Sequence, residues 1–194
     1  IHGCLVGSEM CIRDRDTTGL IVVAKTDEAH QSLVHQFASR LIRRTYTALL
    51  WGSPTKNAFQ IDAPIGRSRR NRKKMAVVNT GGKAAITNFE VLERFGTTAT
   101  LVSCRLETGR THQIRVHTCH IGFPIIGDPV YGSGKMRDGV NDELRTKIKS
   151  MRRQALHAGK LSFKHPKTKE VCCFTSQLPD DMRSLTELFK GNFV

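Results

Sequence analysis

Hydrophobic spacing changes period several times along the chain, and each change marks an element. Gly19–Thr26 (GLIVVAKT) is a short β-branched apolar run with the composition of a buried strand. From Asp27 to Arg43 the period lengthens: Leu33, Val34, Phe37, Ala38, Leu41 and Ile42 build a single apolar stripe, which predicts a helix. Thr45–Trp51 reads as a strand ended by Gly52-Ser53-Pro54, and Phe59–Ile65 as a short extended piece. Ala84–Phe95 and Thr98–Glu107 read as a hairpin joined through Gly96. Asn141–Met151 is a short helix by the same reading, and Leu156–Phe163 with Val171–Thr175 a second strand pair turning at His165-Pro166-Lys167. Leu178-Pro179 precedes a closing helix, Asp180–Lys190, with Met182, Leu185, Leu188 and Phe189 on one face. Strands outnumber helices and connect through short turns. The expected class is therefore α+β, with a largely antiparallel central sheet and flanking helices.

With 194 residues and 39% hydrophobic positions the chain suits one domain. A chain of this length buries roughly 70% of its unfolded surface and needs no disulfide or metal staple. No segment is long and apolar enough to span a bilayer, which speaks against membrane attachment. Residues 1–13 lack the charged start and long apolar run of a signal peptide. The six cysteines, Cys4, Cys11, Cys104, Cys119, Cys172 and Cys173, form no C-x-x-C pair, and adjacent Cys172 and Cys173 are a poor start for a disulfide framework. They read as reduced thiols of a cytoplasmic protein.

Charge changes the picture more. Lys plus Arg number 31 against 17 Asp plus Glu, a net charge of +14. Such an excess repels itself in the compact state, and a polyanionic partner relieves it; the alternative is a basic surface kept for solubility. Six of these cations crowd into Gly66–Lys74 (GRSRRNRKK): Arg67, Arg69, Arg70, Arg72, Lys73 and Lys74. They are either solvated or bound to phosphate. No aromatic residue interleaves, so the loop suits backbone contact rather than base stacking.

Two further stretches carry chemistry. Asp14-Arg15-Asp16-Thr17-Thr18-Gly19-Leu20 places two carboxylates, an arginine and two hydroxyls just before an apolar strand, although Asp and Thr also serve as turn formers. Thr108–His117 (TGRTHQIRVH) feeds two guanidiniums and two imidazoles from a glycine turn; if extended, it puts Arg115 on one face with Gln113 and His117. The spacing of His112, His117, Cys119 and His120 matches no common zinc pattern.

Taken together and in order, these stretches resemble the RluA-type pseudouridine synthases. DRDTTGLIVVAKT at 14–26 is similar to that family's H-R-L-D-x-x-T-S/T-G-L signature, and TGRTHQIRVH followed by GDPVYG at 127–132 to its second long motif. RQALHA at 153–158 resembles its closing motif, and Arg44-Thr45-Tyr46 the place where the family carries an active-site tyrosine. MAVV at 75–78 with GGKAAITNFEVLERF at 81–95 resembles the branch that acts on large-subunit ribosomal RNA. The resemblance implies Asp14 as the catalytic carboxylate, Arg115 as its guanidinium partner and Tyr46 as the residue against the target base. Arg15, Arg110 and His112 join the basic loop as expected RNA contacts. It further implies structured ribosomal RNA as partner, base flipping, no cofactor, and a monomer.

Residues 1–13 depart from the family. Cys11, Ile12 and Arg13 stand where His-Arg-Leu is expected, and residues 1–10 carry no resemblance to the family or to an S4-like RNA-binding domain. The expectation is a non-family segment at 1–13, of artefactual origin, ahead of a catalytic domain at 14–194 that is incomplete at its start. The rival to an active enzyme is an impaired RNA-binding module derived from one. A hydrolase using Asp16 or the histidines has no Ser/His/Asp or metal spacing behind it.

Overall fold

A computed structural model of the chain describes residues 15–72, 74–132 and 139–192. The segment 1–13, Asp14 and Lys73 lie outside the described residues. Among the described residues nine strands form in chain order: β1 (Thr18–Gly19), β2 (Arg43–Trp51), β3 (Ala58–Asp62), β4 (Ile65–Arg67), β5 (Met75–Val77), β6 (Ile86–Phe95), β7 (Ala99–Leu106), β8 (Leu156–Lys164) and β9 (Val171–Thr175). Four described helices accompany them: α1 (Asp27–Ala38), α2 (Gln113–His120), α3 (Asp142–Ser150) and α4 (Asp180–Asn192). The class is α+β. Seven strands make one sheet in the order β1-β8-β2-β7-β6-β3, with β9 also on β8, while β4 and β5 form a separate hairpin. All pairings are antiparallel except β1 with β8.

β2 is the central strand, hydrogen-bonded along its length to β7 and β8. Ala48, Leu49 and Leu50 are fully buried, so both faces of the strand are covered. That accounts for its continuous apolar sequence where a half-exposed strand would alternate. Phe189 of α4 stacks on Phe95 and meets Trp51 edge-on, which seats the closing helix on the strand ends. Leu144 and Ile148 of α3 join Met182 and Leu185 of α4 in the same core. The hairpin of β6 and β7 turns through Gly96 at φ 55, a left-handed conformation open to glycine at little cost.

Three expectations are corrected. The run Gly19–Thr26 is a strand only at its first residue, since β1 ends at Gly19. From Lys160 onward β9 takes the edge of β8 that β1 uses at His157 and Ala158, so the chain past Leu20 finds no ladder there. It packs instead by alternation: Leu20, Val22 and Ala24 reach the cluster of Leu33, Ile42 and Leu161, while Ile21 and Val23 are half exposed. The helix after it stops at Ala38 rather than Arg43, because Arg40 turns to φ 56 and the chain must reverse into β2. Leu41 is consequently exposed. Residues 113–117 are helical rather than extended, with consequences for the site.

Candidate active site

Residues 15–19, which follow Asp14 directly, are stitched to the run 153–158 although some 140 positions separate them. Gln154, with no exposed surface, donates from Nε2 to the Arg15 carbonyl at 2.7 Å and to Thr17 Oγ1 at 3.2 Å. Thr18 Oγ1 lies 3.0 Å from His157 Nδ1. His157 Nε2 faces the Ser176 carbonyl at 3.2 Å, which can only accept, so Nε2 carries a proton, and the Thr18 hydroxyl lies between Nδ1 and the Leu156 carbonyl, which is 3.4 Å from it. The two threonines of the DTTG run are therefore anchors for the 153–158 segment rather than turn formers alone. Gly19 sits at φ +102, and a Cβ there would lie 2.3 Å from the Ala158 carbonyl oxygen. Gly19→Ala should push β1 off β8 and destabilise the fold by about 1–3 kcal/mol. A melting temperature equal to that of the parent would show that the contact yields freely.

The same run 153–158 touches the second motif. Gly127, at φ 74, presses against the Arg153 carbonyl, where a Cβ would come within 2.5 Å. The Ala155 amide donates to Ile126, whose own amide bonds Leu49 of β2. Beyond Gly127 stands Asp128, and it holds Arg115. Arg115 donates from Nε to Oδ2 at 2.7 Å and from Nη2 to Oδ1 at 2.8 Å, and both side chains are almost wholly buried. Asp128 Oδ1 also accepts from the Val130 and Tyr131 amides. Burial pushes the Asp128 carboxyl up, but the Arg115 fork and the two amides outweigh it and hold it below the usual carboxylate value.

Helix α2 sorts its polar side chains by side. Gln113 and His117, four apart, share a face. Gln113 Nε2 donates to Thr87 Oγ1, Thr87 to His117 Nδ1, and His117 Nε2 to the Ala63 carbonyl. Burial lowers the His117 pKa, in keeping with a neutral ring that donates at one nitrogen and accepts at the other. Gln113 Oε1 takes the Thr108 hydroxyl and the Arg110 amide, which fixes the glycine turn of the motif. Arg115 points away from this chain, with its guanidinium over the Tyr131 ring at 5.0 Å. Tyr131 Oη accepts from the Met75 amide at 3.0 Å and lies 2.9 Å from His112 Nδ1. Burial and the Arg115 charge lower the His112 pKa, so the ring is neutral at pH 7.

Tyr46 is buried in β2, just past a register shift, and pairs with Cys104 on one side and Ala158 on the other. Ala158 pairs in turn with Gly19. Tyr46 and the loop that follows Asp14 thus lie on one row of the sheet two strands apart, roughly 10 Å. Next to Tyr46, Arg44 sits over the Phe37 ring at 5.2 Å with its fork backed by Gly109.

The basic stretch is the tip of the β4–β5 hairpin, and its cations divide. Lys74 Nζ donates to the Val130 carbonyl and Arg67 to the Arg72 carbonyl, so these two hold the hairpin in shape and against the GDPVY segment. Arg69, Arg70 and Arg72 are exposed, as is Arg15, while Arg110 donates to the Ala84 carbonyl. Contacts thus run from residues 15–18 to the 153–158 segment, from there to the 127–128 turn that holds Arg115, and from Val130 to Lys74 of the basic hairpin, while Tyr46 lies two strands from Gly19. Asp128, Tyr131, Gln154 and the Thr18–His157 pair have roles that the sequence left unassigned, although a buried arginine needs a compensating partner and the GDPVY run offers a carboxylate.

Residues 13–120 match the family model described as RNA pseudouridylate synthase. Among curated relatives, the chain is 49% identical over 179 residues to an uncharacterized RNA pseudouridine synthase, YlyB, of Bacillus subtilis (strain 168), covering 92% of this chain and 54% of that protein. It is 47% identical over 178 residues to the ribosomal large subunit pseudouridine synthase D of Nitrosomonas europaea, covering 92% and 50%. The chain thus spans about half the length of the curated relatives it matches. Among solved structures it resembles human RNA pseudouridylate synthase domain containing 1 at TM-score 0.63 and 25% identity, over 87% of this chain and 74% of that one.

Proposed function

The chain belongs to the RNA pseudouridylate synthase family, and from that membership we propose that it isomerises uridine in large-subunit ribosomal RNA to pseudouridine. The observation that carries the proposal is the convergence of three distant motifs: residues 15–18 on Gln154 and His157, and residues 127–128 on the neighbouring Arg153 and on Arg115. Arranged so, Asp14 supplies the carboxylate. Two N–H groups of the Arg115 fork bind Asp128, and the further role proposed for this guanidinium is to favour the ionised form of Asp14.

The reaction breaks the uracil N1–C1′ bond, turns the base and joins C5 to C1′. N1 ends protonated, C5 loses its proton, and the oxidation level does not change, so no redox cofactor is required. Tyr46 is the candidate to lie against the base and take the C5 proton, its own hydroxyl proton passing to water as it does so. The uridine must leave its stack to meet these residues, at the cost of unstacking. His112 contributes a neutral donor: Tyr131 Oη, already accepting from Met75, gives its proton to Nδ1 and leaves Nε2–H for RNA.

Arg69, Arg70 and Arg72 follow the phosphate backbone from the hairpin tip. Each phosphate neutralised contributes about −0.7 to −0.9 to the slope of log affinity against log salt. Changing the three to Ser should flatten that slope by about two to three. An unchanged slope would leave the run a solvated loop.

Activity itself is read by tritium release from ribosomal RNA labelled at uridine C5, because the C5 hydrogen is lost only if isomerisation occurs. Release above the level of heat-inactivated protein supports the proposal. RNA binding without release would identify the impaired RNA-binding module instead.

A further inference from the structure

We propose that Gln154 is a positioning residue for catalysis, holding the Asp14 carboxylate in place through the peptide segment that follows it; this rests on the reading of Asp14 as the catalytic group. Gln154 is fully buried, and its Nε2 spends both hydrogens on the loop, one on the Arg15 carbonyl and one on Thr17 Oγ1. Among the described residues its buried Oε1 has no hydrogen-bond partner. An amide with an idle acceptor is an uneconomical filler, since a leucine of similar size would leave no orphan oxygen behind. What the amide provides is two donors on one atom without a charge. A lysine or arginine there would bury a cation against Arg15 and Thr17, and neither acceptor it would meet, the Arg15 carbonyl or Thr17 Oγ1, is a carboxylate.

The backbone under Gln154 is fixed on every side. Arg153 forks onto Asp181 of α4, at 2.9 Å and 2.6 Å, and also donates to the Gln154 carbonyl. The Ala155 amide bonds Ile126, its carbonyl takes the Leu49 amide, and Gly127 closes over Arg153. The anchored Gln154 side chain therefore grips Arg15 and Thr17, the first and third residues after Asp14. Positioning of this kind acts on the reaction step and not on RNA binding, because misplacing a reacting group by about 1 Å costs on the order of a hundredfold in rate.

The test uses Gln154→Leu and Gln154→Glu in the full chain, with single-turnover isomerisation at saturating ribosomal RNA, RNA affinity and melting temperature measured for each. Gln154→Leu should lose at least about tenfold in rate with affinity within about twofold. Gln154→Glu supplies a readout that packing alone would not move. The neutral acid has one O–H to give the Arg15 carbonyl, and the anion has none. Burial raises its pKa, while the nearby Arg153 charge is already paired with Asp181 and the Arg15 guanidinium is exposed. The rate of Gln154→Glu relative to the parent should therefore rise as pH falls from about 8.5 to about 6. Should Gln154→Leu fail to fold, that profile still decides. A Gln154→Leu rate equal to the parent, or a Gln154→Glu profile parallel to it, overturns the proposal. Asp14→Asn measured alongside separates the two failures: inactive Asp14→Asn with fully active Gln154 variants sinks only the positioning role, whereas active Asp14→Asn sinks both.

Discussion

Asp14→Asn is expected to lower the rate of pseudouridine formation by at least about a thousandfold while RNA affinity stays within about twofold. The substitution keeps size and hydrogen-bonding capacity and removes the charge, so whatever depends on a carboxylate goes and little else does. Affinity is expected to persist because the proposed phosphate contacts lie elsewhere, at the hairpin tip and Arg15. Asp16→Asn is the matched control. Asp16 is exposed and sits at φ 65, a conformation that asparagine also tolerates, so the loop keeps its shape and the rate should change little. An active Asp14→Asn, or an inactive Asp16→Asn, would assign the chemistry to the wrong carboxylate.

The largest effect on stability is expected at Asp128. Asp128→Ala leaves the Arg115 guanidinium buried without its partner and strips the Val130 and Tyr131 amides of their acceptor. Breaking a buried pair in this way costs about 3–5 kcal/mol, which lowers the melting temperature by on the order of 10 °C. Replacing both partners at once, Arg115→Met with Asp128→Leu, should restore much of that stability without restoring isomerisation, because the proposed partner of Asp14 is gone. A double variant with normal turnover would make Arg115 purely structural. The pair also shapes the acid response. The folded-state pKa of Asp128 lies below its unfolded value, so its contribution is complete above the ordinary carboxylate pKa, about 4, and is lost as pH falls further toward the folded value. Acid unfolding of the parent should therefore begin below about pH 4, and that component should vanish in the double variant.

Elements whose spacing repeats were legible from sequence, and contacts across the chain were not. The apolar run of β2, the turn at Gly96 and the stripe of Met182, Leu185 and Phe189 each follow from burial of a regular element, and all three lie where expected. Helix α2 was misleading for a physical reason. In Ile114–His120 the residues Ile114, Val116 and Thr118 alternate with Arg115, His117 and Cys119, the pattern of a strand, yet Gln113 through Thr118 are all buried in a helix. Thr87, Ala63 and Asp128 supply hydrogen bonds to Gln113, Arg115 and His117, and that long-range satisfaction overrides the local pattern. Gln154 and Asp128 were visible as members of motifs but not as partners, since nothing in residue order joins Gln154 to Arg15 or Asp128 to Arg115. In the basic stretch the sequence shows six equal cations, and only the hairpin geometry separates Lys74 and Arg67, which hold it together, from Arg69, Arg70 and Arg72, which face solvent.

The central claim, uridine isomerisation in large-subunit ribosomal RNA, is tested most directly by incubating the chain with that RNA transcribed without modifications. Pseudouridine is then mapped by carbodiimide-dependent stops in reverse transcription. The account predicts new stops at one or a few uridines, absent from the small-subunit RNA and absent with Asp14→Asn. Binding of the RNA with no new stop, or equal stops with Asp14→Asn, would contradict it.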